Sequence, residues 1–191
     1  KLNRIQKNYF LLHIGLKLAF FCGNGFYKID FFGDSKLYKK NIYLGWYLSS
    51  YQFTKFKYKA KKIEKGSLEE SGKRETESLV SVYFFVRDLI NMPANILGPN
   101  QIYKACLKFL KNNFSHRLIV GEKLKKNFPL ISAVGQGASN SKKPMFCEFI
   151  SKNKKLKKKI FIVGKGVSFD TGGLNLKGGG GMLLMKKDMG G

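Results

Sequence analysis

The sequence predicts an α/β fold, and three observations carry that prediction. Beyond residue 73, segments with apolar residues three and four apart give way to short β-prone runs, so helices are followed by strands. Polar or glycine-containing loops separate those runs. With 43% hydrophobic and 14% aromatic residues, the chain also has the apolar material for a core that a disordered basic tail lacks. Its 191 residues suit one full domain, or one small domain and part of another, at roughly 100–200 residues per domain.

The first third is irregular, with Gly23, Gly25 and Gly33 punctuating aromatic clusters such as Phe31-Phe32, and reads as mixed short strands and turns. The apolar run from Phe10 to Cys22 is broken by His13 and Lys17 and falls short of the roughly 20 residues of a bilayer span. Bulky Phe20 and Phe21 end it where a signal peptide would need small residues, so no membrane association is expected. The chain opens on Lys1, which suggests a partial sequence. Next, Ile42, Leu44, Trp46 and Leu48 alternate as in a strand, although the same stretch suits an amphipathic helix, and Gly45 weakens either. The lysine-rich segment from Lys55 to Ser71 reads as an exposed linker.

Beyond it, Glu75, Leu79, Val82, Tyr83, Val86, Leu89 and Ile90 define a helix with an apolar stripe, closed by Pro93. A second helix spans Pro99 to Asn112, with Ile102, Tyr103, Leu107 and Leu110 on one side. Strands are expected at Leu118 to Val120, Leu130 to Val134, Phe146 to Ile150 and Ile160 to Val163.

A formal net charge of +24 is extreme for a soluble domain and predicts salt-sensitive, non-specific attraction to nucleic acid. The lysine cluster between Lys152 and Lys159 is better read as a solvated loop than as a recognition surface. It interleaves no arginine or aromatic for base stacking. Cys22, Cys106 and Cys147 are few, far apart and without a Cys-x-x-Cys pair, which argues against a disulfide scaffold or a zinc knuckle and for a reducing compartment.

The chemistry is concentrated between Ile160 and Gly191. An apolar run delivers Lys165 between Gly164 and Gly166, and Asp170 follows five positions on. A phosphate clamp, a structural ion pair, a metal site and a plain glycine-rich turn all remain open on these residues alone. A P-loop is excluded, because no Gly-Lys-Ser/Thr occurs. For a metal, Asp170 and Asp188 supply hard carboxylate donors on either side of the glycine loop. Lys165 binds a cation only as the neutral amine, so the ion itself must displace its proton. Lys177, also in the loop, would then be left to hold an oxyanion.

Four segments carry a family resemblance. Val163-Gly-Lys-Gly-Val-Ser-Phe-Asp-Thr-Gly-Gly173 and Met182-Leu-Leu-Met-Lys-Lys-Asp-Met-Gly-Gly191 closely resemble signatures of the leucyl (cytosol) aminopeptidases, two-metal exopeptidases of the cytoplasm. Arg87-Asp-Leu-Ile-Asn-Met-Pro-Ala-Asn95 and Val134-Gly-Gln-Gly137, ahead of the run Met145 to Ile150, agree in the same order. Asn41 to Lys59 resembles the end of the family's amino-terminal domain more loosely. The resemblance implies a partial amino-terminal α/β domain over residues 1–65, a linker and connecting helix over 66–92, and the first part of a mixed-sheet α/β metallopeptidase catalytic domain over 93–191.

It further implies two divalent metal ions, manganese or zinc, with Lys165 a ligand of one, Asp170 bridging both and Asp188 a further ligand. Lys177 matches the catalytic lysine that polarises the scissile carbonyl, and Met185 matches a methionine lining the pocket for the substrate's first side chain. The implied activity is release of amino-terminal residues from peptide substrates in the cytoplasm, by a homo-hexamer. The family's Asn-Thr-Asp-Ala-Glu-Gly-Arg motif does not occur in the chain, and the Gly178 to Gly181 run is more uniform than in the family. The expectation is therefore a truncated enzyme with an incomplete metal site, little activity alone and poor solubility. The alternatives are a basic nucleic-acid-binding protein or a decaying gene remnant.

Overall fold

A computed structural model describes residues 3–31, 36–59, 66–68, 73–153, 158–168, 174 and 177–185. The chain divides into two compact units, Lys1–Asp88 and Leu89–Gly191. Helices and strands are mixed throughout, as an α/β chain requires.

Unit 1 is built on a helical hairpin. Helix α1 (Arg4–Phe21) begins at Asn3, whose side chain accepts from the Gln6 backbone N–H at 2.9 Å, while the Gln6 side chain accepts from the Asn3 N–H at 3.0 Å. That reciprocal box satisfies donors that a helix start otherwise leaves bare. The strands and turns expected for this region are thus largely replaced by one long helix. Among the described residues of this region only β1 (Phe26–Tyr27) is a strand, and it pairs in parallel with β2 (Ser67–Leu68). Helix α2 (Lys36–Leu48) resolves the ambiguity at Asn41 to Ser50 in favour of helix.

Gly15 and Gly45 explain how α1 and α2 pack. A Cβ on Gly15 would sit 2.0 Å from the Ile42 carbonyl oxygen, and one on Gly45 would sit 2.0 Å from that of Leu12. Each helix therefore rests on the bare backbone of the other. The core beside this crossing holds Ala19, Tyr43, Trp46 and Leu68. Trp46 is 2% exposed and donates from Nε1 to the Gly66 carbonyl at 2.7 Å. Gly66 and Leu68 are buried, so this part of the lysine-rich segment is not the exposed linker expected but part of the core.

Helix α3 (Lys73–Asn91) appears where the apolar period places it. Its stripe is shifted, since Val82 and Tyr83 are exposed while Phe84, Phe85 and Val86 are half-buried. The boundary between the units falls within this helix.

In unit 2, α4 (Pro99–Leu110) starts on a proline whose missing N–H costs nothing at that position. After a single 3-10 turn, β3 (Phe114–Ile119) pairs antiparallel with β4 (Phe146–Ser151), from Phe114 opposite Ser151 to Ile119 opposite Phe146. Between them run α5 (Gly121–Asn127) and α6 (Pro129–Val134). The strand expected at Leu130 to Val134 is thus a helix. Pro129 supplies a helix-opening φ that outweighs the β preference of Ile131 and Val134. Ile160 to Val163 is likewise not a strand; it lies outside any ladder, exposed to solvent. Leu124, 1% exposed, anchors α5, and Phe128 stacks on Phe146 with ring centroids 4.3 Å apart.

Candidate functional site

The four signature segments fall into two that support and two that carry donors. In the first, Arg87 of α3 donates from Nη1 to the Leu48 carbonyl at 3.0 Å and lies 5.3 Å from the Tyr51 ring. Tyr51 in turn donates to Asp88 Oδ1 at 2.8 Å, and its ring meets Phe84 at 5.1 Å. Leu48 is the last residue of α2, so the guanidinium satisfies a carbonyl that a helix C-terminus leaves open. The Arg87-Asp88 pair is thereby a structural clasp within unit 1.

The continuation of that segment lies in unit 2. There Lys142 Nζ donates to the Asn95 carbonyl at 3.1 Å, while its aliphatic stem lies where a Cβ on Gly98 would be 2.5 Å away. Gly135, in the second supporting segment, packs directly on the Pro144 ring. These two segments position backbone, and Lys142 is a joining residue with no sequence signature of its own.

The donor segments are more open. Lys165 lies on the irregular stretch 158–168 with an exposed side chain. Lys177 is also exposed and immediately precedes Gly178, whose carbonyl accepts from the N–H groups of Gly181 at 2.8 Å and Met182 at 3.2 Å. Those bonds open α7 (Gly179–Leu184), and Met185, half-buried, closes it with its N–H on the Met182 carbonyl. The glycine run that departs from the family pattern is therefore a short helix just after Lys177. Asp170 and Asp188 lie outside the described residues.

A divalent cation fits the donor types: one amine and two carboxylates suit the borderline and hard ions. Among the described residues, no three His, Cys, Asp or Glu side chains converge to hold one. Nor does any described helix have the length and apolarity to cross a membrane.

Residues 84–191 match the family model described as the cytosol aminopeptidase family, catalytic domain. A probable cytosol aminopeptidase of Rickettsia felis is 35% identical over 82% of this chain and 34% of its own length. The solved cytosol aminopeptidase of Coxiella burnetii is 30% identical with a TM-score of 0.74, over 96% of this chain and 40% of that one. A bottromycin maturation enzyme, BotP, solved in complex with Mn, is alike in fold alone, at 17% identity and a TM-score of 0.56 over 75% of this chain and 33% of its own. The chain spans about a third of the length of the curated relatives it matches.

Proposed function

The chain belongs to the cytosol aminopeptidase family, and on that premise we propose that it forms part of a cytoplasmic, metal-dependent aminopeptidase that removes amino-terminal residues from peptides. The observation that carries this reading is the match of residues 84–191 to the family's catalytic domain, which includes every donor singled out in the sequence. A neighbour of the same fold holding Mn supports a divalent cation.

Lys165, Asp170 and Asp188 are the residues that would hold the two ions, manganese or zinc. When bound, such a pair supplies Lewis acidity toward the scissile carbonyl and an acidified water. Lys177 directs its amine at the carbonyl oxygen and holds the charge that develops there. Met185 offers a flexible, polarizable thioether to the substrate's first side chain, accepting varied apolar shapes. Three protein donors cannot fill the roughly four positions that each of two ions requires, so the chain alone binds metal weakly and turns over little or no substrate. The hexamer belongs to the same reading. The lysine excess supports sequence-indifferent attraction to polyanions and no more.

The test is a chimera in which the chain replaces the corresponding third of a curated relative. Hydrolysis of a leucyl anilide should be abolished by chelation and restored by manganese or zinc. Lys177→Ala should lower kcat at least about a hundredfold, as loss of one oxyanion donor does elsewhere, while metal content stays unchanged. Chelator-insensitive turnover, or full activity in Asp170→Asn, would sink the proposal.

A further inference from the structure

The chain contains a single Asn-Gly pair, Asn24-Gly25, and it lies in the bend that joins α1 to β1. Both residues are exposed. Among the described residues, no partner holds the Asn24 amide or the Gly25 N–H. An asparagine side-chain carbonyl carbon lies within reach of the next residue's backbone nitrogen, and a following glycine, with no Cβ, leaves that approach unhindered. The chain's Asn-Ser pair, Asn140-Ser141, is exposed as well and serves as the comparison. It opens a 3-10 turn, whose helical dihedrals hold the following nitrogen out of line with the side-chain carbon.

The backbone is gripped on both sides of Asn24. The Gly25 carbonyl accepts from the Ser67 N–H at 2.7 Å, next to the Phe26–Ser67 pair of the ladder. On the other side, a Cβ on Gly66 would be 2.9 Å from the Gly23 carbonyl oxygen and 2.5 Å from the Tyr27 ring. The Gly66 carbonyl accepts from Trp46 Nε1, and the Tyr27 and Trp46 rings lie 5.6 Å apart. The spacing between Gly23 and Gly25 is thus set by contacts that reach the core of unit 1.

We propose that Asn24 is a self-modifying site, converted by water to aspartate and isoaspartate, and that the isoaspartyl form loosens the β1–β2 pairing and the contact with Trp46. The Gly25 nitrogen gives its proton to solvent and bonds to the Asn24 side-chain carbonyl carbon. The carbon–nitrogen bond of the side-chain amide then breaks, and that nitrogen takes a proton from solvent and leaves as ammonia. Water opens the resulting five-membered imide at either carbonyl. The net reaction consumes one water and releases one ammonia, with no change of oxidation state. In isoaspartate the main chain runs through the side-chain carbon, so one more atom separates Gly23 from Gly25. The two glycines can then no longer both keep their places against Gly66 and Ser67.

The test ages the whole chain in warm neutral buffer and follows each asparagine by peptide mapping and mass spectrometry. Methyl transfer from S-adenosylmethionine by an isoaspartyl carboxyl methyltransferase counts the isoaspartyl form. Asn24 should convert at least about tenfold faster than Asn140, and Asn24→Gln, which would need a larger ring, should remove the methyl-accepting product. Because nothing has to open first, the rate at Asn24 should stay within about threefold of that in strong denaturant. The isoaspartyl form, once separated, should show a lower denaturation midpoint by Trp46 emission. Fresh Asn24→Asp, which adds the charge without the extra atom, should keep the parent's midpoint. Conversion at Asn24 no faster than at Asn140, or a folded rate below the stated range, overturns the proposal. So does an isoaspartyl form that melts with the parent.

Discussion

Replacing Trp46 by phenylalanine keeps most of the apolar volume and removes one donor, the Nε1–H that meets the Gly66 carbonyl at 2.7 Å. A buried acceptor stripped of its partner costs about 1–3 kcal/mol. Urea unfolding of Trp46→Phe, followed by far-UV circular dichroism, should show a loss of that size, and an unchanged midpoint would mean that the carbonyl finds another donor. Cys106 and Cys147 make stability depend on pH. Their thiols are raised in the folded state, so the folded chain holds those protons more tightly than the unfolded one. The resulting stabilisation is complete below the ordinary value of 9.0 and is lost as pH rises through the higher folded values. Above about pH 9, unit 2 should therefore lose stability faster than the Cys106→Ser, Cys147→Ser double variant, as thermal unfolding at stepped pH would reveal. Lys165, Asp170, Lys177, Asp188 and Met185 stand out in sequence because glycines bracket them and because their order matches a signature. The burial that raises the Cys106 and Cys147 thiols is legible only in the fold, because no local pattern specifies which side of α4 or of β4 is covered.

The crossing of α1 and α2 depends on Gly15 and Gly45, each facing a carbonyl oxygen of the other helix where a Cβ would be 2.0 Å away. Alanine at either position improves helix propensity by about 1 kcal/mol. Against that, the helices must separate, and overpacking of this kind costs about 1–3 kcal/mol or more. Since the clash is with rigid backbone, Gly15→Ala and Gly45→Ala should both destabilise unit 1. A midpoint equal to or above that of the parent in denaturant titration would show that the hairpin adjusts at little cost. Helices α3 and α4 are legible because their apolar period is clean and prolines mark their ends. Helix α1 is obscured because Tyr9, Phe10, Phe20 and Phe21 put bulky apolar groups on its solvent side, blurring the period. Its one local signal is the Asn3-to-Gln6 spacing of the capping box. Gly45 reads as a flaw in any element until the partner backbone that needs it is in view. At Ile160 to Val163 the β preference of the residues is plain, but a strand exists only where a neighbour supplies the hydrogen bonds, and that cannot be read from the segment itself.

For the molecule as a whole, the same run sets net charge against exposed apolar surface. Ile160, Phe161, Ile162 and Val163 are 84%, 83%, 91% and 95% exposed, and such a segment favours intermolecular pairing. The charge of +24 holds copies apart at low ionic strength, and the protection fades as the screening length falls to about 3 Å near 1 M salt. Light scattering should accordingly rise with sodium chloride, and Ile162→Lys should suppress most of the rise. Equal scattering by parent and variant would place the sticky surface elsewhere. The location of Trp46 governs how any such experiment can be followed. It is the chain's single tryptophan and lies in the core of unit 1. Selectively excited indole emission therefore reports melting of the Lys1–Asp88 unit, while Leu89–Gly191 contains no tryptophan. Fluorescence and circular dichroism recorded on one sample become two separate clocks, and any gap between their midpoints measures how independently the two halves come apart.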